Sequence, residues 1–170
     1  ILMIIAPERF RDEELFVTQE ELERAGHRTV IASTATGVRA GSRGGFATAA
    51  LTPDTVHVGD YDAVVFVGGG GAKLLFANPD ALRIAREADA GGKILAAICL
   101  APVILANAGV LGGKQATVAG TEAKTLEQAG ATYTGPGVTV DGRIVTANAP
   151  KASRLFGQKI AALLPKERAL

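Results

Sequence analysis

The stretch GGKILAAICLAPVILANAG, residues 91–109, contains the only cysteine of the 170-residue chain, Cys99. Apart from Lys93 it carries no charge, so it is a membrane span, a piece of buried core or a turn that presents a thiol. Pro102 interrupts the apolar run, which is already marginal in length for a membrane span. A buried strand at residues 93–98, followed by a helix with Pro102 in its first turn, explains the stretch better.

The rest of the chain alternates short apolar runs with amphipathic helical patterns. The apolar runs predict strands at residues 1–6, 27–33, 63–67, 93–98 and 116–119. The helical patterns predict helices at residues 12–25, 79–90, 102–108, 122–129 and 152–164. A glycine-rich sequence predicts a hairpin within residues 37–51, and an Asp-Gly pair predicts another around residues 141–142. We therefore expect an α/β fold with a mostly parallel sheet sandwiched by helices.

The composition indicates one ordinary globular domain, residues 1–170, with 48% hydrophobic and 21% charged residues. A net charge of +1 without clustered basic residues does not indicate a nucleic-acid-binding surface. A lone cysteine cannot form an internal disulfide, which fits a reducing, cytoplasmic setting. One cysteine and two scattered histidines offer no metal-ligand spacing, so we expect no metal, no cofactor and no membrane partner.

Cys99 lies where a parallel sheet places its ligands, beyond the carboxyl end of a strand. A sharp strand-to-helix turn lifts the side chain above the sheet and directs the N–H groups at the start of the helix toward it. Such a thiol is expected to be stabilised as the thiolate. The alternative is an inert buried cysteine, since free cysteine is among the most buried residue types.

Several segments resemble the ThiJ/PfpI superfamily, in this order along nearly the whole chain. They are ERFRDEEL at residues 8–15, GHRTVIAS at 26–33, VVFVGGGG at 64–71, GGKILAAICLAPVILANAGVLGGKQAT at 91–117 and VDGRIVTANAP at 140–150. The resemblance implies a flavodoxin-like fold with the cysteine at a nucleophile elbow. It also implies a homo-oligomer, as a dimer or a higher assembly.

The resemblance assigns roles to individual residues. Cys99 takes the place of the reactive cysteine, and Glu14 that of the carboxylic acid that hydrogen-bonds it. The glycine turn at Gly69 and Gly70 and the N–H of Leu100 would supply an oxyanion hole. For Glu14 the alternative is an acid that merely favours the first turn of a helix, and for the glycines it is a tight turn that needs positive φ.

The chain departs from the family where a general base is expected. Leu100 follows the cysteine where PfpI-like members have histidine, and Lys73 stands where the acid that orients it is expected. Residues 117–120 lack the histidine of deglycase-like members, and Ala101 replaces the usual glycine. The two histidines of the chain, at positions 27 and 57, are predicted at the amino ends of strands, away from the site.

Three functions remain open from the sequence. The first is a protein with a reactive, oxidisable Cys99 beside Glu14, acting in stress or redox response or in the handling of reactive carbonyls. The second is a cysteine-dependent enzyme on a small-molecule substrate, glyoxalase- or deglycase-like, or a PfpI-type peptidase that Leu100 makes doubtful. The third is a non-catalytic binding module with an inert thiol.

Overall fold

The computed structural model describes residues 1–165, in which helices cover both faces of a central sheet. The strands are β1 Leu2–Ile4, β2 Glu8–Phe10, β3 Val30–Ala32, β4 Gly37–Gly41, β5 Phe46–Ala49, β6 Ala63–Phe66, β7 Ile94–Ile98, β8 Gln115–Ala116, β9 Thr132–Tyr133, β10 Val138–Asp141 and β11 Ile144–Ala147. The helices are α1 Asp12–Arg24, α2 Pro79–Ala90, α3 Pro102–Asn107, α4 Ala123–Gln128 and α5 Ser153–Leu163.

The main sheet has the strand order β10-β11-β7-β6-β1-β3. All neighbouring strands in it are parallel except β10, which pairs antiparallel with β11 at one edge. The predicted α/β class with a mostly parallel, helix-covered sheet is confirmed. Strands β1, β6, β7 and β11 are buried along their whole length, which is why they read as unbroken apolar runs rather than alternating ones.

The sheet separates two hydrophobic cores. On one face, α2, α3 and α4 pack over side chains such as Leu95 and Phe66. On the other face, α1 and α5 pack together over Met3, Val65 and Val145. The Cys99 side chain packs at the margin of this second core, so the site lies on the face of the sheet that α1 and α5 cover.

The five predicted helices are confirmed to within about two residues, and Asn78 caps α2 by accepting hydrogen bonds from two backbone N–H groups. Both predicted hairpins are present, β4–β5 and β10–β11. The sequence analysis missed β2, a three-residue strand that pairs with β4 in a small second sheet. Exposed polar residues dominate β2, so no apolar pattern marks it.

The predicted strand at residues 116–119 is wrong as a member of the main sheet. Only Gln115–Ala116 is extended, and it pairs with β9 in a separate two-stranded sheet. In the main sheet, β7 instead pairs with β11, the second strand of the hairpin. The segment is apolar because Ala116 and Val118 pack into the core beside α3 and α4, which a strand-like pattern cannot distinguish from sheet burial.

Within residues 1–165, no helix has the length and apolar character needed to cross a membrane. The last five residues of the domain predicted over residues 1–170 lie outside the part of the chain that the structure describes.

Candidate active site

Cys99 forms a sharp turn between β7 and α3. Its φ is +63°, in the left-handed region that non-glycine residues rarely adopt. Long-range hydrogen bonds hold the turn on both sides: the Cys99 N–H donates to the Ala147 carbonyl oxygen at 2.8 Å, and the Ala119 N–H donates to the Cys99 carbonyl oxygen at 2.8 Å. A residue in this conformation persists only when its surroundings impose it, and strained strand-to-helix turns of this kind present nucleophiles.

Glu14, in the first turn of α1, is brought to the same place. Its side chain is fully buried, and neither carboxyl oxygen has a hydrogen-bond partner of ordinary geometry among the described residues. The Cys99 thiol and the Gly68 N–H face the carboxyl and favour its ionised form. A buried polar group without a good partner is rare and points to function.

Gly68 and Gly69 make this close approach possible. A Cβ on Gly68 would stand 2.5 Å from the Glu14 Oε1 and 2.9 Å from the Cys99 Cβ. Gly69 has φ +101°, and a Cβ there would stand 2.4 Å from the backbone nitrogen of Arg11. The glycine turn therefore fits both alternatives of the sequence analysis, because it needs positive φ and also leaves room beside the thiol.

Backbone N–H groups of Leu100 and Gly69 face the sulfur and favour the thiolate. They come from the two segments expected to form an oxyanion hole. Gly70 instead begins a 3₁₀ turn, Gly70–Leu75. The structure thus brings Cys99, Glu14, Gly69 and Leu100 together and leaves Gly70 beside them.

The ionisation of the pair differs from the expectation of a thiolate with a low pKa. Burial raises the pKa of the Cys99 thiol to about 12, and the charge of the Glu14 carboxylate raises it as well. Burial likewise raises the pKa of Glu14 to about 8. The expectation was wrong because it weighed the N–H groups and not the burial of the thiol beside an acid.

The two groups compete for a single negative charge. At neutral pH the Glu14 carboxyl is mostly protonated, since its pKa is about 8. A protonated carboxyl exerts no repulsion on the sulfur and has an O–H to donate to it. With the pKa of Glu14 near 8 and that of Cys99 near 12, the first negative charge of the pair lies mainly on Glu14. The thiolate beside a protonated Glu14 is the minor form, and it is the form in which the sulfur is the nucleophile.

No histidine reaches the site. His57 lines a cleft with Arg83 and Lys93, at the amino end of β7 and so at the opposite edge of the sheet, and His27 precedes β3 at that same edge. Residues 117–120 do pass beside the elbow, but there Val118 is fully buried in the core. Lys73 lies in the 3₁₀ turn after the glycines. Within residues 1–165, Glu14 is thus the acid that faces the thiol.

The sequence analysis missed Arg11. Its guanidinium makes a two-pronged hydrogen bond to Glu13, with the shortest contact 2.9 Å, and this pair raises the pKa of Arg11. Its charge also acts on Glu14 and Cys99. The sequence feature that could have indicated this role is the position of Arg11, directly before three acidic residues at the start of the first helix.

Residues 1–165 contain no group of three or more His, Cys, Asp and Glu side chains that could hold a metal ion. The chemistry that the arrangement supports is that of its own groups. Sulfur can act as a nucleophile, the carboxyl can exchange protons with it or with a bound molecule, and two N–H groups can stabilise negative charge.

The family model described as the DJ-1/PfpI family matches residues 1–163. An uncharacterised protein of Methanocaldococcus jannaschii, MJ0967, is 41% identical over 169 residues, covering 98% of this chain and 82% of that protein. Deglycase PfpI of Pyrococcus furiosus is 34% identical over 149 residues, covering 88% of this chain and 90% of that protein.

Among solved structures, the ThiJ/PfpI domain protein from Brachyspira murdochii superimposes with a TM-score of 0.93 at 32% identity. The match covers 95% of this chain and 94% of that one. The likeness therefore extends over nearly the whole of both chains.

Proposed function

The chain belongs to the DJ-1/PfpI family, and from that membership and the geometry of the site we propose that Cys99 is a reactive thiol. It acts with Glu14 on small reactive carbonyl compounds. The observation that carries the proposal is the Glu14 carboxyl, fully buried beside Cys99 without an ordinary hydrogen-bond partner. The printed name of the Pyrococcus furiosus relative, a deglycase, supports carbonyl chemistry.

Methylglyoxal serves as the model substrate. The Cys99 sulfur adds to the aldehyde carbon, and the carbonyl oxygen takes a proton from Glu14 to give a hemithioacetal. The resulting carboxylate removes the proton from that carbon and returns it to the neighbouring ketone carbon. The hydroxyl proton of the hemithioacetal passes to the former ketone oxygen, and the product is the thioester of lactate. Water hydrolyses the thioester to lactate and frees the thiol. No oxidant is consumed, because the aldehyde carbon is oxidised as the ketone carbon is reduced.

The test measures lactate formed from methylglyoxal by the wild type, Cys99→Ser and Glu14→Gln. We expect loss of turnover in Cys99→Ser and a fall of about 100-fold or more in Glu14→Gln, as for removal of a general acid–base group. Glu23→Gln, on the exposed side of the same helix, is the matched control and should keep wild-type turnover. Turnover that survives Cys99→Ser contradicts the proposal.

A second role for the same thiol is oxidation, which the partial exposure of Cys99 favours. Hydrogen peroxide converts a thiolate to sulfenic acid, and a second equivalent gives sulfinic acid. The protonated Glu14 carboxyl can donate a hydrogen bond to the sulfinate oxygen. This reaction needs no histidine, so Leu100 and Val118 do not oppose it.

Peroxide treatment followed by mass spectrometry of the peptide spanning residues 94–114 tests this role. We expect Cys99 to gain two oxygen atoms at peroxide levels that leave the buried Met3 unmodified. Glu14→Gln should accumulate less of the sulfinic form. A Cys99 no more reactive than an ordinary buried thiol overturns the redox role and leaves the carbonyl test unaffected.

Peptidase activity is the weaker alternative, because Leu100 cannot relay a proton to a leaving amine and Lys73 stands where the acid that orients the family's histidine is expected. The proposal includes a homo-oligomer of a single domain over residues 1–170, which the family membership supports. It also includes a cytoplasmic setting, which the single cysteine supports. Light scattering of the purified chain tests the assembly, and a mass equal to one chain would contradict it.

A further inference from the structure

A cleft of about 520 Å³ opens between the start of α1 and the start of α5. Arg11 and Val17 line it from the first segment, and Ala149, Lys151 and Arg154 from the second. Three of these five side chains are basic. The remaining lining includes a single acid, at position 13.

The walls of the cleft are joined to the candidate active site through the backbone. The Arg11 N–H donates to the Gly68 carbonyl oxygen at 3.0 Å, and Gly68 is the residue packed between Glu14 and Cys99. On the other side, the Cys99 N–H donates to the carbonyl oxygen of Ala147, two residues before the cleft begins. Arg11 lines the cleft, and its charge also acts on Cys99, so the cleft lies within electrostatic reach of the thiol.

The basic groups of the cleft keep hydrogen-bonding capacity. Lys151 is exposed and forms no ion pair within residues 1–165. Among the described residues, Arg154 contacts Glu20 and Glu21 through Nη1 alone, which leaves its Nε and Nη2 N–H groups for a ligand. The Glu13 carboxylate pairs with Arg11 at 2.9 Å. Because Arg154 also has acidic partners, Lys151 is the cation of the lining that is left without an ion pair within residues 1–165.

We propose that this cleft binds the anionic group of the substrate, a carboxylate or a phosphate, whose carbonyl carbon reacts at Cys99. The inference rests on the proposed function and adds the substrate class: reactive carbonyl compounds that carry a negative charge. Lys151 and the free N–H groups of Arg154 hold the anion. Glu13 opposes it, because an incoming anion meets the charge of that carboxylate.

Alkylation of Cys99 tests the cleft without any need for turnover. Iodoacetate and iodoacetamide both form a bond between sulfur and carbon and release iodide, but only iodoacetate carries a carboxylate. The measured quantity is the ratio of the two rate constants at Cys99, at one pH and at low ionic strength. Because the same thiolate attacks both reagents, the ratio cancels changes in thiol ionisation.

We expect Lys151→Ala to lower the iodoacetate-to-iodoacetamide ratio about threefold and Lys151→Glu to lower it about tenfold, since a local charge concentrates an oppositely charged reagent. Glu13→Gln should raise the ratio. The differences should shrink in about 0.5 M salt, where exposed charges are screened. Lys159→Ala, an exposed lysine farther along α5, is the matched control. Ratios that stay at the control value in all three cleft variants overturn the proposal.

Inorganic phosphate and acetate then serve as competitors of iodoacetate. Slower alkylation with phosphate assigns a phosphate-bearing substrate, and slower alkylation with acetate a carboxylate-bearing one. Alkylation slowed by neither anion contradicts the cleft assignment. If methylglyoxal is not turned over but the rate ratios respond to charge, the proposed function fails and the anion site stands.

Discussion

The Glu14 carboxyl reaches Cys99 only because Gly68 has no side chain. Its Oε1 atom lies 2.5 Å from the place that a Cβ on Gly68 would occupy, and the carbonyl oxygen of Ile98 lies equally close to that place. The carbonyl oxygen belongs to the backbone of β7 and cannot move aside. The acid would have to move instead, so Gly68 sets the contact between acid and thiol.

Gly68→Ala should therefore separate Glu14 from Cys99. We expect at least a tenfold fall in methylglyoxal turnover, and overpacking should lower the free energy of unfolding by about 1–3 kcal/mol. Turnover and urea unfolding measure the two effects. Gly59→Ala is the matched control, since a Cβ there meets nothing within 4 Å. Wild-type turnover in Gly68→Ala would show that the contact is unimportant.

The strained turn at Cys99 predicts an unusual order of stabilities. With φ at +63°, an L-residue at this position costs about 1 kcal/mol relative to glycine. We expect Cys99→Gly to be more stable toward urea than Cys99→Ala by up to about 1 kcal/mol. At Ala97, in the extended β7, replacement by glycine should destabilise the protein by about the same amount. A Cys99→Gly variant less stable than Cys99→Ala would contradict the strain.

The buried Glu14 makes stability depend on pH. Its pKa is about 8 in the folded protein, whereas the ordinary value, which applies to the unfolded chain, is 4.5. The folded state therefore binds the proton more tightly than the unfolded state. The stabilisation is complete below pH 4.5 and is lost as the pH rises toward 8, by up to about 1.4 kcal/mol per pH unit. Urea unfolding at pH 5 and pH 8 measures the loss. Glu14→Gln should flatten the dependence, and an equally steep profile in that variant would assign it to another group.

Glu14 also shapes the titration of the thiol. In the wild type, thiolate absorbance should rise mainly near pH 12, after Glu14 has ionised near pH 8, because the carboxylate opposes a second negative charge on the neighbouring sulfur. Glu14→Gln removes the carboxylate that raises the pKa of Cys99, so a single step below pH 12 is expected. A wild-type thiol fully ionised well below pH 8 would contradict this account.

Sequence patterns predicted the parts of the fold that depend on local periodicity. Buried parallel strands appear as continuous apolar runs, and Asn78 marks the start of α2. The neighbour of β7 could not be predicted in this way, because pairing between distant segments leaves no local pattern. The run at residues 116–119 is as apolar as a central strand, yet it packs under α3 and α4.

The candidate site was predictable in its residues but not in its electrostatics. The sequence alone identifies the cysteine after a buried strand and the acid in the first turn of the first helix. Their pKa values depend on how deeply both are buried, and that follows from packing between α1, β7 and the glycine turn. The cleft could not be predicted either, because Lys151 and Arg11 are 140 residues apart.

The hydrogen bond from the Cys99 N–H to the Ala147 carbonyl oxygen has a consequence for folding. β11 is the last strand of the main sheet along the chain, yet it fixes the turn that presents the thiol. While the chain is being synthesised, residues 1–100 lack that support, and the cleft residues at 149–154 do not yet exist. A nascent chain therefore holds its cysteine without the geometry of the site, and the elbow can be completed only after β11 has joined the sheet.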